Sequence, residues 1–127
     1  MNSKIILISG ASRGIGKQTA IDLAKSGYTV IAGYNKSEQS AIELQKEYNI
    51  DIFKADISSK IEIKKMTDYV LNKYKKLDVL INNAGISQTK LFTDITDEDW
   101  NLMINTNLYS CFKLTQNCIP NMVHNKS

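Results

Sequence analysis

A glycine-rich segment near the amino terminus has the residue types and spacing of a phosphate-binding loop. It lies between a run of apolar residues and a segment with helical periodicity. Its residues are Gly10, Ala11, Ser12, Arg13, Gly14, Ile15 and Gly16. Glycine tolerates a positive φ and lets a ligand approach the backbone closely. The helix that follows presents unpaired N–H groups and the positive end of its dipole, so the segment predicts a site for a phosphate-bearing ligand.

The spacing of the glycines separates this loop from two common phosphate-binding patterns. A P-loop reads G-x-x-x-x-G-K-[ST], but here five residues lie between Gly10 and Gly16, and Gln18 replaces the Ser/Thr. The dinucleotide pattern G-x-G-x-x-G also differs, because this loop reads G-x-x-x-G-x-G. A methyltransferase loop stays open as an alternative on fold grounds alone.

Further candidate site residues follow two later predicted strands and interrupt the last predicted helix. Those after the third strand are Asp56 and Ile57, and those after the fourth are Asn83, Ala84 and Gly85. Asn107 lies inside the last helix, where its side chain competes for backbone hydrogen bonds. Two of these residues also have a structural interpretation. Asp56 suits the start of a helix, where the dipole favours an acid, and Asn107 suits a polar helix face.

These candidates must be positioned by elements that alternate along the chain. Apolar runs predict strands at 4–9, 28–34, 51–55 and 78–82. Helical patterns predict helices from 15 to 25, 38 to 48 and 61 to 76, and a last helix from 96 toward Cys118 that Pro120 ends. Buried strands alternating with helices predict an α/β fold with a doubly wound parallel sheet.

The predicted arrangement is that of a dinucleotide-binding, or Rossmann, fold. Four strands supply only the first half of such a sheet and the start of the second. We therefore expect residues 1–127 to be a single, incomplete dinucleotide-binding (Rossmann) domain, truncated after about four strands.

The composition is that of an ordinary globular protein. Hydrophobic residues make up 43% and charged residues 23% of the 127 positions, which excludes disordered, collagen-like and disulfide-stapled classes. The net charge of +3 is small and scattered, so we expect no nucleic-acid partner. No apolar run approaches the roughly 18 residues of a membrane span, so we expect no membrane partner and a cytoplasmic location. His124 is the single histidine and lacks partners at metal-binding spacing, so we expect no metal site.

The glycine loop, Asp56, the string Asn82-Asn83-Ala84-Gly85 and Asn107 together resemble the short-chain dehydrogenase/reductase family, in order and over the whole chain. The strings GASRGIG, LINNAGI and INTNL look most similar to the 3-oxoacyl-acyl-carrier-protein reductases of that family. The resemblance implies hydride transfer between a nicotinamide cofactor and a carbonyl, such as a 3-oxoacyl thioester. The substrate partner would be a small molecule or an acyl carrier, and the full-length relative would be a homo-oligomer.

The resemblance also implies a role for each candidate residue. The adenosine ribose and pyrophosphate would be held by Gly10, Ser12, Arg13, Gly14, Ile15 and Gly16. Asp56 and Ile57 would lie beside the adenine. The residues lining the cofactor after the fourth strand would be Asn83, Ala84 and Gly85. Asn107 would order a water molecule and a catalytic lysine within a proton relay.

The residues after the second strand distinguish between the two nicotinamide cofactors. An NAD-binding unit usually carries an acid about 20 residues past the loop, which accepts a hydrogen bond from the ribose 2′-hydroxyl. Here Asn35 and Lys36 follow the strand, with no carboxylate before Glu38. Arg13 and Lys36 would attract a 2′-phosphate, so we predict NADP(H). The alternative for both cations is an ordinary solvated surface charge.

The chain departs from the family in its acid/base residues. The family uses a Tyr-x-x-x-Lys pair on the helix after the fifth strand, in which the tyrosine transfers the proton. Tyr69 with Lys73 and Tyr109 with Lys113 have this spacing, but both precede the required place. We therefore expect the pair to be missing and the 127-residue chain to be inactive alone. The alternative function is a non-catalytic remnant that binds a nucleotide or pairs through its last helix.

Overall fold

Strands and helices alternate along the protein in the predicted order. A computed structural model describes residues 3–85 and 90–125. The strands are Ile5–Ile8 (β1), Thr29–Tyr34 (β2), Asp51–Lys54 (β3) and Val79–Ile81 (β4). The helices are Gly14–Lys25 (α1), Glu38–Tyr48 (α2), Lys60–Tyr74 (α3), Asp97–Ile104 (α4) and Ser110–His124 (α5). A 3-10 turn spans Phe92–Asp94, and a π-helical turn at Asn105–Tyr109 joins α4 to α5.

The four strands form one parallel sheet in the order β3-β2-β1-β4. The central strand β1 pairs Leu7 with Ile31 of β2 on one side and with Leu80 of β4 on the other. Parallel strands place all their carboxyl ends at one edge of the sheet. The loops that follow the four strands therefore meet there, as a doubly wound fold requires.

Side chains that alternate along the strands build a core on each face of the sheet. On one face, strand residues pack with α1 and α2, and the cluster includes Ile6, Ile8, Val30, Ala20, Ile21 and Leu44. On the other, strand residues pack with α3 and α5, and the cluster includes Ile5, Leu7, Ile31, Ile63, Met66, Val70, Leu114 and Cys118. Apolar residues on both faces explain why the strands read as continuous apolar runs. The predicted α/β fold is confirmed.

The prediction for the last helix was wrong at its carboxyl end, because Pro120 does not end it. Pro120 lies inside α5, which continues to His124. A proline lacks the N–H that would bond to the carbonyl four residues earlier, here that of Gln116. Gln116 and Pro120 are both exposed, so this carbonyl is open to solvent. Just beyond the proline, Asn121 bonds to the backbone before β4, which holds the last turn in place.

Candidate functional site

A cavity of about 440 Å³ opens at the carboxyl ends of the strands, where doubly wound folds bind their ligands. Segments after all four strands line it, together with residues of α4 and of the π-turn. The lining residues are Gly10, Ser12, Arg13, Gly14, Tyr34, Asn35, Lys36, Ser37, Asp56, Ile57, Ser58, Asn83, Ala84, Gly85, Leu102 and Thr106. The structure thus brings together every predicted site residue except Ile15, Gly16 and Asn107.

The glycine loop is shaped by its contacts with the turn after β4. Gly10 and Gly14 have φ angles of +64° and +61°, which side chains other than glycine rarely adopt. A Cβ added at Gly10 would come within 2.6 Å of Ala84 Cα, and one added at Gly16 would come within 2.2 Å of Asn83 Nδ2. Asn83 Nδ2 donates a hydrogen bond to the Gly10 carbonyl at 2.9 Å. Gly16 therefore lies beneath the cavity and leaves room for the Asn83 side chain.

Ser9 is a buried residue that joins the two loops and that the sequence analysis missed. Its hydroxyl oxygen accepts hydrogen bonds from the backbone N–H groups of Asn83 and Ala84, both at 3.1 Å. Ser9 is 2% exposed, so no solvent competes for these groups. The one signal in the sequence is a hydroxyl residue that ends an otherwise apolar strand.

The cavity presents positive charge and unpaired hydrogen-bond donors. Arg13 and Lys36 line it, and neither forms an ion pair with a carboxylate of the described residues. The first turns of α1 and α2 lack a side-chain cap at Arg13 and Ser37. In α2 the Glu38 N–H donates to the Lys36 carbonyl at 2.9 Å, and the other N–H groups of the two first turns remain available. Ser12 is 6% exposed, and its hydroxyl bonds to no other residue within the described ranges. This is a donor set for an anion.

Tyr34 forms a buried part of the wall at the end of β2. It was not predicted as a site residue, because its aromatic ring suits a strand. Burial raises the pKa of its hydroxyl, and the negative charge of Glu38 adds to the effect. The hydroxyl therefore stays protonated at neutral pH and remains a potential hydrogen-bond donor.

Asp56 lies in the cavity wall and also fixes the turn before α3. Its Oδ1 accepts hydrogen bonds from Ser58 N at 2.9 Å and from Ser58 Oγ at 2.7 Å. Its own N–H donates to Glu62 Oε1 at 3.0 Å, while Glu62 N donates to Ser59 Oγ. The structural interpretation of Asp56 thus holds alongside its place in the cavity.

Two apolar side chains line an otherwise polar cavity. Ile57 comes from the turn after β3, and Leu102 comes from α4 with 48% of its surface exposed. Sequence patterns could not identify Leu102, because its contact depends on how α4 returns across the edge of the sheet. Apolar groups of this kind suit the flat face of a nucleotide base.

Asn107 lies in the π-turn, next to the cavity but not in its wall. A Cβ added at Gly85 would come within 2.9 Å of Asn107 Oδ1, so a larger residue there would displace the Asn107 amide. Two side chains bond to carbonyls of this turn: Ser110 Oγ to that of Thr106, and Cys111 Sγ to that of Asn107. Ile15 is 82% exposed and does not reach the cavity.

Neither pair with Tyr-x-x-x-Lys spacing reaches the cavity. Tyr69 and Lys73 bond to Asp51, the first residue of β3, at the opposite end of the sheet. Lys73 Nζ also lies over the Tyr69 ring, 5.5 Å from its centroid. In the other pair, Tyr109 stacks near Phe112 and Lys113 bonds to Gln116. Both pairs therefore have structural contacts of their own.

The described residues contain neither a metal-binding cluster nor a membrane-spanning helix. Across 3–85 and 90–125, no three His, Cys, Asp or Glu side chains are grouped so that they could hold a metal ion. Within the same ranges, no helix has the length and apolar character needed to cross a membrane.

The sequence matches the family profile described as short chain dehydrogenase over residues 4–127. The chain belongs to the short-chain dehydrogenase/reductase family. Its fold is that of the amino-terminal portion of these oxidoreductases, as the sequence resemblance predicted.

Curated relatives include several 3-oxoacyl-[acyl-carrier-protein] reductases. The enzyme of Thermotoga maritima is 36% identical over 132 aligned positions, which cover 100% of this chain and 53% of the relative. That of Buchnera aphidicola is 37% identical over 125 positions, covering 97% of this chain and 51% of the relative. The chain thus spans about half the length of the curated relatives it matches.

Solved structures show the same relationship. A structure described as a 3-oxoacyl-reductase from Bacillus thuringiensis matches with a TM-score of 0.89 and 27% identity, over 98% of this chain and 54% of that chain. A short-chain dehydrogenase from Streptomyces avermitilis matches with a TM-score of 0.92 and 27% identity, over 99% and 47%. The family fold is therefore present over nearly the whole described chain.

Proposed function

We propose that this chain is the cofactor-binding part of an NADP(H)-dependent carbonyl reductase. The observation that carries the proposal is the presence of Arg13 and Lys36, which pair with no carboxylate of the described residues, on a cavity that also receives the uncapped first turns of α1 and α2. In this proposal residues 1–127 form a single, incomplete NAD(P)-binding domain. A cytoplasmic location stays a prediction.

The residues present fit a phosphorylated dinucleotide. The N–H groups at the start of α1, with Ser12, would bind the pyrophosphate. Arg13, Lys36 and the first turn of α2 would bind the 2′-phosphate of the adenosine ribose, because the carboxylate that lines the cavity, that of Asp56, follows β3 and not β2. Ile57 and Leu102 would contact the adenine, and Asp56 has a second carboxylate oxygen to accept from its amino group.

The nicotinamide, when bound, supplies the hydride; the chain supplies position. Asn83 and Gly16 hold the glycine loop against the turn after β4, so that the floor of the cavity is rigid. Ser9 fixes the same turn from below. Asn107 would act beside Gly85, at the end of the cavity away from Lys36.

The substrate class follows from the relatives rather than from this cavity. The enzymes of Thermotoga maritima and Buchnera aphidicola are named for 3-oxoacyl groups on an acyl carrier protein. We extend that substrate class, a 3-oxoacyl thioester, to the complete protein. The proposed homo-oligomer belongs to the complete protein as well.

The chain alone is proposed to be inactive, because neither Tyr69 with Lys73 nor Tyr109 with Lys113 lines the cavity. Steady-state oxidation of NADPH with a 3-oxoacyl thioester should show no turnover by the 127-residue chain. Clear turnover would contradict the missing acid/base pair.

The alternative, a remnant that pairs through its last helix, rests on a different observation. Leu108, Phe112 and Ile119 are exposed along one side of the π-turn and α5. A remnant of this kind would self-associate, or capture a partner helix, without binding NADPH.

Charge variants test the cofactor proposal. Arg13→Gln and Lys36→Gln should each weaken NADPH binding by about tenfold and leave NADH binding unchanged, since a hydrogen bond to a charged group contributes roughly 1.5 kcal/mol or more. Lys17→Gln is the matched control, because Lys17 pairs with Glu43 and does not line the cavity. Cofactor fluorescence titration measures all three. An equal loss of NADH affinity, or no loss at all, would overturn the proposal.

A further inference from the structure

The position of the turn after β4 depends on contacts outside the sheet as well as on strand pairing. Within the described residues, β4 has three residues and pairs with β1 alone. Three residues are the short end of the usual range for a strand, so few sheet hydrogen bonds lie near the carboxyl end of β4. Yet Asn83, Ala84 and Gly85, which follow it, line the candidate cofactor cavity.

Helix α5 runs beside β4 and bonds to both of its ends. At the amino end, Asn121 Oδ1 accepts from Leu77 N at 3.0 Å, and Asn121 Nδ2 donates to the Lys75 carbonyl at 3.3 Å. At the carboxyl end, Thr115 Oγ1 accepts from Asn82 Nδ2 at 3.0 Å. The helix thus fixes β4 along its length.

The π-turn brings Asn107 to the same side of the helix as Thr115. In a regular α-helix, a residue eight positions before Thr115 would be rotated from it by about 80°. The extra residue of a π-turn reduces that angle to about 20°. Asn107 then lies against Gly85, since its Oδ1 would be 2.9 Å from a Cβ added at that glycine. Thr115 and Asn107 therefore contact successive parts of one turn.

We propose that Thr115 is a positioning residue for the nucleotide site. Its hydroxyl holds Asn82, and Asn82 holds the adjoining Asn83–Gly85 turn against Ser9 and the glycine loop. This inference rests on the proposed function for its link to NADPH. Its structural part concerns the ligand-free chain and is tested separately.

Amide hydrogen exchange in the ligand-free chain tests the structural part. Thr115→Val keeps the shape and removes the acceptor, so the amides of Asn83 and Ala84 should exchange about threefold to tenfold faster, the range of one net hydrogen bond. Thr115→Ser keeps the hydroxyl and should restore wild-type exchange. Gln116→Ala is the control, because Gln116 bonds to Lys113 on the same helix and not to β4. Unchanged exchange in Thr115→Val, or a Ser variant as fast as the Val variant, would overturn the inference.

A second variant and a cofactor titration cover the remaining outcomes. If Thr115→Val fails to fold by circular dichroism, Asn82→Leu removes the hydrogen-bonding group from the other side and should speed exchange at the same two amides. Where both fold, the double variant should be no faster than either single one, because both remove the same bond. NADPH titration of Thr115→Val should show an affinity lower by a similar factor, about threefold to tenfold. If the wild type binds no NADPH, the proposed function fails while the exchange result still decides the role of Thr115.

Discussion

The hydroxyl of Ser9 and the backbone of Asn83 connect two loops that are 74 positions apart in the chain. Each loop can be predicted from the sequence by itself. The spacing of the glycines identifies the first loop, and the string Asn82-Asn83-Ala84-Gly85 identifies the second. Their connection is not local, and nothing in the apolar run of β1 marks Ser9 as an acceptor for distant N–H groups. Leu102 was missed for the same reason, since its place in the cavity depends on packing.

Ser9→Ala tests the connection. It leaves two buried N–H groups without an acceptor, so the free energy of unfolding should fall by roughly 1–3 kcal/mol. NADPH affinity should fall as well, because the turn after β4 lines the cavity. Urea denaturation and cofactor titration measure the two effects. Ser26→Ala is the matched control, since its exposed hydroxyl bonds within its own helix, to the Asp22 carbonyl at 3.0 Å. Similar small effects of both variants would contradict the role of Ser9.

At the scale of elements, α3 and β3 are joined by a polar cluster at the end of the sheet opposite the cavity. Asp51 accepts hydrogen bonds from Tyr74 at 2.7 Å, from Tyr69 at 2.8 Å and from Lys73 at 3.0 Å. Burial alone would raise the pKa of Asp51, but these three donors outweigh it and hold the pKa below its usual range. Burial, followed by the nearby Asp51 carboxylate, raises the pKa of Tyr74 to about 12. Nothing in the sequence indicates that Tyr69 and Tyr74 share Asp51 as a partner.

Asp51→Asn should therefore destabilise the protein in a pH-dependent way. Because the folded pKa is lowered, the stabilisation is present above the unfolded value of about 3.9 and is lost as the pH falls through the folded value. We expect wild type to exceed the variant by about 2 kcal/mol at pH 7, and the difference to shrink below pH ~4. Asp68→Asn, which breaks the exposed pair with Lys64, should cost at most about 0.5 kcal/mol. Urea titrations at several pH values measure this, and a difference independent of pH would contradict it.

Helix α5 carries a proline that the fold tolerates. The sequence predicted that the helix ends there, because a proline locally disrupts a helix. Contacts of Asn121 and of the buried Leu114 and Cys118 keep α5 helical past the proline. Pro120→Ala restores the missing N–H and should raise the free energy of unfolding by up to about 3 kcal/mol. Val123→Ala, at an exposed position of the same helix, should change it by about 0.5 kcal/mol or less. A destabilised Pro120→Ala variant, measured by thermal and urea denaturation, would show that the helix needs the proline.

At the scale of the molecule, the sequence predicted the order of the elements, the parallel sheet and the edge at which the candidate residues meet. It could do so because apolar periodicity and the rule that ligands bind at the carboxyl ends of strands are general. It could not predict the π-turn, the Asp51 cluster or the contacts between α5 and β4, since each depends on residues that only packing brings together. The chain spans about half the length of the curated relatives it matches.

The central claim is that the cavity binds a nicotinamide dinucleotide through its 2′-phosphate. Isothermal titration of the 127-residue chain with NADPH and with NADH, at one ionic strength, tests it most directly. Arg13 and Lys36 predict that NADPH binds at least about tenfold more tightly, as a charge-assisted contact to one phosphate requires. Equal dissociation constants for the two cofactors, or tighter binding of NADH, would contradict the account.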